Sequence, residues 1–147
     1  MFSARASVRI PFHDIDVMHI AWHGHYLKYF EIARTALMQS LGLDWPELKT
    51  QGIAMPVVDA QTHYRKPIVY GQEIIVEATI AEISFPELIV QYKIMANDGS
   101  ADILSTGRTR QTYMNFADHT SYFLVPDFVN LRFQTALAQG RQHHETP

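Results

Sequence analysis

The sequence contains no cysteine. That one absence removes disulfides, thiolate zinc sites and a cysteine nucleophile, and it fits a reducing compartment. No stretch approaches the roughly 20 apolar residues that a membrane-spanning helix needs. The opening residues MFSARASVRIPF carry no apolar core of signal-peptide length, because Arg5 and Arg9 interrupt them. A cytoplasmic protein without membrane insertion is therefore expected. Excess positive charge is missing too. Twelve Lys and Arg against 15 Asp and Glu give a net charge of -3, which offers nucleic acid no bulk attraction. Internal repeats, low-complexity tracts and Gly/Ser linkers are absent. The 147 residues suffice for one domain with a real core. One domain over 1–147 is expected, with the polar stretch 140–147 as a frayed tail.

What is present is concentrated in the stretch Phe12 to Thr35. Asp14 and Asp16 lead into His19, Trp22, His23, Gly24 and His25, and a densely apolar helical pattern follows. Titratable residues thus crowd the loop that feeds a helix N-terminus. Around them, Ala4 to Phe12 alternates as a half-buried strand. From His25 to Leu41 the period changes. Tyr26, Tyr29, Phe30, Ala33, Leu37 and Leu41 form a stripe, which Leu27, Ile32, Ala36 and Met38 widen until the helix reads as buried all round. Gly42 suits a C-cap, and Asp44 with Pro46 opens a short second helix.

Strands then follow over Ile53 to Tyr64, Ile74 to Ile83, Leu88 to Ala96 and Ile103 to Asn115. Turns at Ser84-Phe85-Pro86-Glu87 and Asn97-Asp98-Gly99-Ser100 separate the later ones. The last strand is the least apolar. A C-terminal helix over about 126–138 places Phe128, Leu131, Thr135 and Ala138 on one side. The fold class is α+β, a curved antiparallel sheet wrapped around one long central helix.

This order, with Asp14-Ile15-Asp16, Trp22-His23-Gly24-His25-Tyr26, Tyr29-Phe30-Glu31 and Ala33-Arg34-Thr35, resembles the hotdog-fold acyl-CoA thioesterases of the 4-hydroxybenzoyl-CoA thioesterase family. The segment Tyr64-Arg65-Lys66-Pro67-Ile68 with Tyr70-Gly71-Gln72 is similar to the family's strand-turn-strand block. The resemblance implies the hotdog fold, a homodimer or homotetramer with active sites at subunit interfaces, and hydrolysis of acyl-CoA or acyl-carrier-protein thioesters. It implies Asp16 as the catalytic carboxylate, acting as nucleophile or general base. It also implies that backbone amides at His23 or Gly24 polarise the thioester carbonyl. The chain departs from the family pattern in two places. Val17-Met18-His19 follow the carboxylate where small residues are usual, and His25 replaces an Asn before the helix tyrosine.

The chemistry fits those roles. A thioester needs a carboxylate at its carbonyl carbon and a donor for the oxyanion, and no metal or cofactor. A helix N-terminus supplies free N–H groups and about half a unit of positive charge. Asp14 is expected to bond backbone amides in its loop. Trp22, His25 and Tyr26, with Tyr64, Arg65 and Lys66, are the candidate substrate-binding residues, the basic ones for coenzyme A phosphates or an acidic carrier. The side chain of His23 is a further pocket candidate. His13, His19, His23 and His25 match no closed metal-ligand spacing. The alternative functions are a non-catalytic acyl-binding hotdog protein and a hotdog dehydratase.

Overall fold

Alternation sets the sheet and a stripe of aromatic residues sets the helix that it holds. The structure, a computed structural model, describes residues 2–84 and 86–144. Its elements run β1 (Ser3–Arg9), α1 (Tyr26–Ser40), α2 (Trp45–Thr50), β2 (Ile53–Ala54), β3 (Val57–Tyr64), β4 (Glu73–Ser84), β5 (Glu87–Ala96), β6 (Ile103–Thr112), β7 (Met114–Asn115) and α3 (Asp127–His144). Two 3-10 turns, Phe12–Asp14 and His23–His25, precede α1. Five strands form one sheet in the order β1-β4-β5-β6-β3, and β2 pairs with β7 beside it. Every pairing is antiparallel. This is the hotdog arrangement, an antiparallel five-stranded sheet with the long helix packed on it.

The inward rows are those the alternation predicts. Ile74, Val76, Ala78 and Ile80 of β4 are buried, as are Leu88, Val90, Tyr92 and Ile94 of β5. On α1, Tyr26, Tyr29, Phe30, Ala33, Leu37 and Met38 are buried against β1 and β4. The Phe30 ring stacks on Tyr92 with centroids 4.6 Å apart, and a side chain at Gly107 would collide with that same ring. Gly42 ends the helix at φ +68°. Leu43 N–H donates to the Met38 carbonyl at 2.9 Å and Gly42 N–H to that of Gln39 at 3.2 Å, so two terminal carbonyls are satisfied. Asp44 then caps α2 by accepting from Trp45 N–H at 2.8 Å.

Several expectations are corrected. The helix is not covered all round, since Leu27 and Ile32 are exposed beside Lys28, Glu31 and Thr35. One curved sheet reaches only one face of it. The first strand ends at Arg9, and Phe12 enters a 3-10 turn with its ring exposed. The expected strand Ile53 to Tyr64 breaks at Met55-Pro56, where Pro56 has no N–H to give and its carbonyl accepts from Thr112. Ile103 to Asn115 breaks opposite, at Tyr113, whose ring turns fully into the core. In α3 the buried residues are Val129 and Phe133, with Phe128 and Ala136 partly buried against the core, while Leu131 is exposed. Of the expected side only Phe128 packs, and the packed face is turned toward Val129 and Phe133, whose ring lies 5.9 Å from that of Phe2. The helix is longer than the expected 126–138 and runs to His144, and residues 145–147 of the expected tail lie outside the described residues, as does Phe85 of the expected turn. Among the described residues no helix is long and apolar enough to cross a membrane.

The contact of Phe30 with Gly107 gives a direct test. Gly107→Ala forces that ring off Tyr92 and is expected to cost about 1–3 kcal/mol, read from urea unfolding. Phe30→Leu in the same background is expected to recover part of the loss.

Candidate active site

The loop between β1 and α1 is shaped by two carboxylates with different tasks. Asp16 N–H donates to the Ile20 carbonyl at 2.9 Å, and His19 N–H donates back to the Asp16 carbonyl at 3.0 Å. His19 takes φ +66°. Together these form a tight three-residue reversal over Val17, Met18 and His19, closed by a residue in the left-handed region. Histidine tolerates that region better than most non-glycine residues, which explains how a chain without a small residue there keeps the turn. Asp16 Oδ1 accepts from Met18 N–H at 2.9 Å, an Asx-type bond that fixes the carboxyl on its own turn. Among the described residues Oδ2 has no hydrogen-bond partner. The loop is tied down through Ala21 N–H to the Ile68 carbonyl at 2.7 Å and Trp22 N–H to the Asp14 carbonyl at 3.0 Å.

Asp14 is the buried member, at 1% exposure. Its side chain does not bond loop amides, contrary to the expectation from sequence. It accepts from Lys28 Nζ at 2.6 Å and from the Tyr29 hydroxyl at 2.8 Å, both on the first turn of α1. A loop amide has too short a reach to satisfy a carboxylate that is turned under the helix. His13 and His25 stand 3.6 and 3.9 Å from the same oxygen. Burial alone would push the Asp14 carboxyl up. The Lys28 and Tyr29 hydrogen bonds, with the charges of Lys28 and His25, outweigh burial and hold it below 3.8. Burial, together with the Asp14 bond and charge, pushes the Tyr29 phenol up, so it remains a donor.

The 3-10 turn His23–His25 delivers the chain into α1. Among the described residues the N–H groups of His23 and Gly24 meet no acceptor, whereas His25 N–H is taken by Trp22 and Tyr26 N–H by His23. Gly24 is required here because the Trp22 ring lies where its Cβ would be. Tyr64, from β3, donates its hydroxyl to the His23 carbonyl at 2.8 Å and packs edge-on against Tyr26 at 4.7 Å.

A cavity of about 300 Å³ gathers Asp16, His23, Tyr26, Tyr64, Arg65 and Lys66, with Met18, Ile20, Ala21 and Pro67 completing its walls. Three expected residues are outside this lining. Trp22 covers Gly24, His25 turns toward Asp14 and meets the Trp22 ring at 5.3 Å, and Gly24 contributes backbone only. Of the basic pair, Lys66 is held by Asp102 at 3.0 Å, while Arg65 has no ion-pair partner among the described residues. Ile20, Ala21 and Pro67 were missed by sequence reasoning, which offered no signal for small and apolar wall residues in a loop. Glu31 is exposed, 3.8 Å from Arg34. Among the described residues no three His, Asp or Glu side chains converge as metal ligands would.

Known proteins are similar to this chain in sequence and fold. A model described as the Thioesterase-like superfamily matches residues 10–137. The Bacillus subtilis protein named "Putative acyl-CoA thioesterase YneP" is 29% identical over 106 residues, which cover 72% of this chain and 77% of that one. Among solved structures, the DHNA-CoA thioesterase of Staphylococcus aureus superposes with a TM-score of 0.83 at 22% identity, covering 100% of this chain and 97% of that chain. The 1,4-dihydroxy-2-naphthoyl-CoA thioesterase of Synechocystis gives 0.78 at 20% identity, covering 92% and 96%. These two likenesses are likenesses of fold.

The ion pair under the loop carries a pH signature. The folded state depresses the Asp14 pKa, so its stabilisation is present above the ordinary carboxylate range and is lost as pH falls through the folded value. Asp14→Asn is expected to cost about 1–3 kcal/mol near neutral pH, and the gap from wild type should close as pH falls through and below the ordinary carboxylate range. Urea unfolding across that range measures it. A gap independent of pH would contradict the assignment.

Proposed function

The chain belongs to the Thioesterase-like superfamily, and we propose that it hydrolyses acyl-CoA thioesters, with Asp16 acting at the carbonyl carbon and the His23 and Gly24 amides receiving the oxyanion. One observation carries the reading. Asp16, a carboxylate with a free oxygen, lines the same cavity as His23, whose backbone N–H, like that of Gly24 next to it, has no acceptor among the described residues. The relatives named as acyl-CoA and DHNA-CoA thioesterases support the substrate class.

In the proposed reaction the thioester carbonyl oxygen points at the helix start. Negative charge developing there meets N–H dipoles and the positive end of α1, and a donor so placed is worth about 3–4 kcal/mol. The free Asp16 oxygen has two routes. It removes a proton from water as the water oxygen attacks the carbonyl carbon, or it attacks that carbon itself to give a mixed anhydride that water then cleaves. In both, the carbon–sulfur bond breaks and the thiolate leaves and takes up a proton. Single turnover in ¹⁸O-water separates them. The base route places the label in the product acid, and the nucleophilic route places it in Asp16 or the acid according to which anhydride carbon water attacks.

Arg65, exposed and without an ion-pair partner among the described residues, is the proposed contact for a coenzyme A phosphate or an acidic carrier protein, with Lys66 beside it. We also propose a homo-oligomer joined through β3. That strand is at the end of the sheet, and Val57, Val58 and Tyr64 on it are exposed. An unpaired apolar edge of this kind favours pairing with another strand.

Asp16→Asn keeps the acceptor that Met18 N–H uses, so the turn should survive. Turnover of acyl-CoA is expected to fall by roughly 10²–10⁴-fold with the melting temperature unchanged, followed by thiol release. Full activity in this variant would sink the mechanism, and an inert wild type across acyl-CoA and acyl-carrier substrates would favour an acyl-binding protein.

A further inference from the structure

A second cavity, of about 230 Å³, opens between α1, α2 and the sheet, away from Asp16. Met38, Leu48, Met55 and Leu88 give it apolar walls, and Gln111 of β6 also lines it. Gln111 is 1% exposed, and among the described residues neither its amide nitrogen nor its amide oxygen has a hydrogen-bond partner. A buried primary amide with both ends unused is costly in a folded protein, and native structures rarely keep one without a reason. The surroundings sharpen the point. The inward row of β6 is Ser105, Gly107, Thr109 and Gln111, polar or small throughout. Ser105 donates to the His63 carbonyl at 2.7 Å, and Thr109 bonds the Tyr92 hydroxyl at 2.6 Å. Gln111 alone in that row lines the cavity with a buried amide that has no protein partner among the described residues.

We infer that this cavity is a ligand pocket whose occupant carries a hydroxyl or carboxamide group paired with Gln111. An amide offers one acceptor and two donors, so it matches a group that both donates and accepts. A plain hydrocarbon end would bury the amide unpaired. Charge argues for an uncharged polar end. The lining holds Glu31 and Asp44 against Arg34. Arg34 already faces Glu31 at 3.8 Å and the Tyr92 hydroxyl at 3.4 Å, so a carboxylate entering here meets no spare positive charge. Such a group has two sources, the distal end of the substrate's own acyl chain or a free small molecule. The first rests on the thioesterase reading and makes Gln111 a specificity-determining residue. The second does not depend on that reading.

The experiment compares wild type with Gln111→Met and Gln111→Leu, which keep volume and remove the amide. Hydrolysis is measured with ω-hydroxyhexanoyl-CoA and heptanoyl-CoA, which differ by a hydroxyl in place of a methyl. Binding of free ω-hydroxyhexanamide is followed by calorimetry, and melting temperature without ligand is recorded for all three proteins. For the acyl-chain source, the wild-type preference in kcat/KM for the hydroxylated substrate should fall by about tenfold in both variants. The unsubstituted substrate should be cleaved as well as before. For a free ligand, ω-hydroxyhexanamide should bind wild type and fail to bind the variants, while the substrate ratio holds. Because the amide has no partner to lose, both variants should melt at or above the wild-type temperature. An unchanged substrate ratio together with unchanged or absent amide binding overturns the inference. So does a clear drop in melting temperature in both variants, which means that the amide has internal partners. The binding and melting arms read out even in a protein without thioesterase activity, so failure here is distinct from failure of the proposed function.

Discussion

The buried carboxylate of Asp14 is the interaction on which the rest depends. It is sequestered beneath the start of α1, where a lone charge would be expensive, and a lysine and a tyrosine on consecutive helix positions satisfy it. Its backbone works in the same place, since the Asp14 carbonyl accepts from Trp22 N–H. One residue therefore ties the loop to the helix through its side chain and to the entry of the 3-10 turn through its main chain. The loop then has little freedom in where it presents Asp16, two residues on, or in how it leads Trp22 over Gly24 into the helix. A charge pair with its carboxylate buried and its lysine at the surface fixes the relation between Asp16 and the start of α1, which neither element fixes alone.

The sheet supplies the other half of the constraint. Phe30 is pinned between Tyr92 and the bare backbone of Gly107, which sets the height of α1 over the strands. Tyr64, on the edge strand, reaches back to the His23 carbonyl. The 3-10 turn that carries the free amides is thus held from the loop side by Trp22 and from the sheet side by Tyr64. The same strand edge is open for pairing, so any partner docked along β3 would lie close to the cavity that holds Asp16.

The local periods were legible in the sequence. Alternation in Ile74 to Ile80 and Leu88 to Ile94, the stripe from Tyr26 to Leu41, and the Gly42 and Asp44 caps each follow from short-range chemistry. What failed needed knowledge of neighbours. Leu27 and Ile32 look like core residues by composition, yet no element of the chain covers them. Val129 and Phe133 bury the last helix because Phe2 waits there, a contact spanning nearly the whole sequence. The site divides in the same way. Asp16, His23 and Tyr26, named from the resemblance, line one cavity together with Tyr64, Arg65 and Lys66. The partners of Asp14 and the isolation of Gln111 were not readable, because burial and pairing are properties of the assembled chain. The hint for Gln111 was the polar inward row of an otherwise ordinary strand.

The central claim is that catalysis occurs where Asp16 faces the unpaired amides at the head of α1. The most direct measurement is a crystal structure with a ketone analogue of an acyl-CoA, in which a methylene separates the carbonyl from sulfur and the bond cannot be hydrolysed. The account predicts the analogue's carbonyl oxygen at about 3 Å from the His23 or Gly24 nitrogen, with the Asp16 carboxylate against the carbonyl carbon. A carbonyl bound away from the helix start, or one approached by Glu31 instead of Asp16, would contradict it.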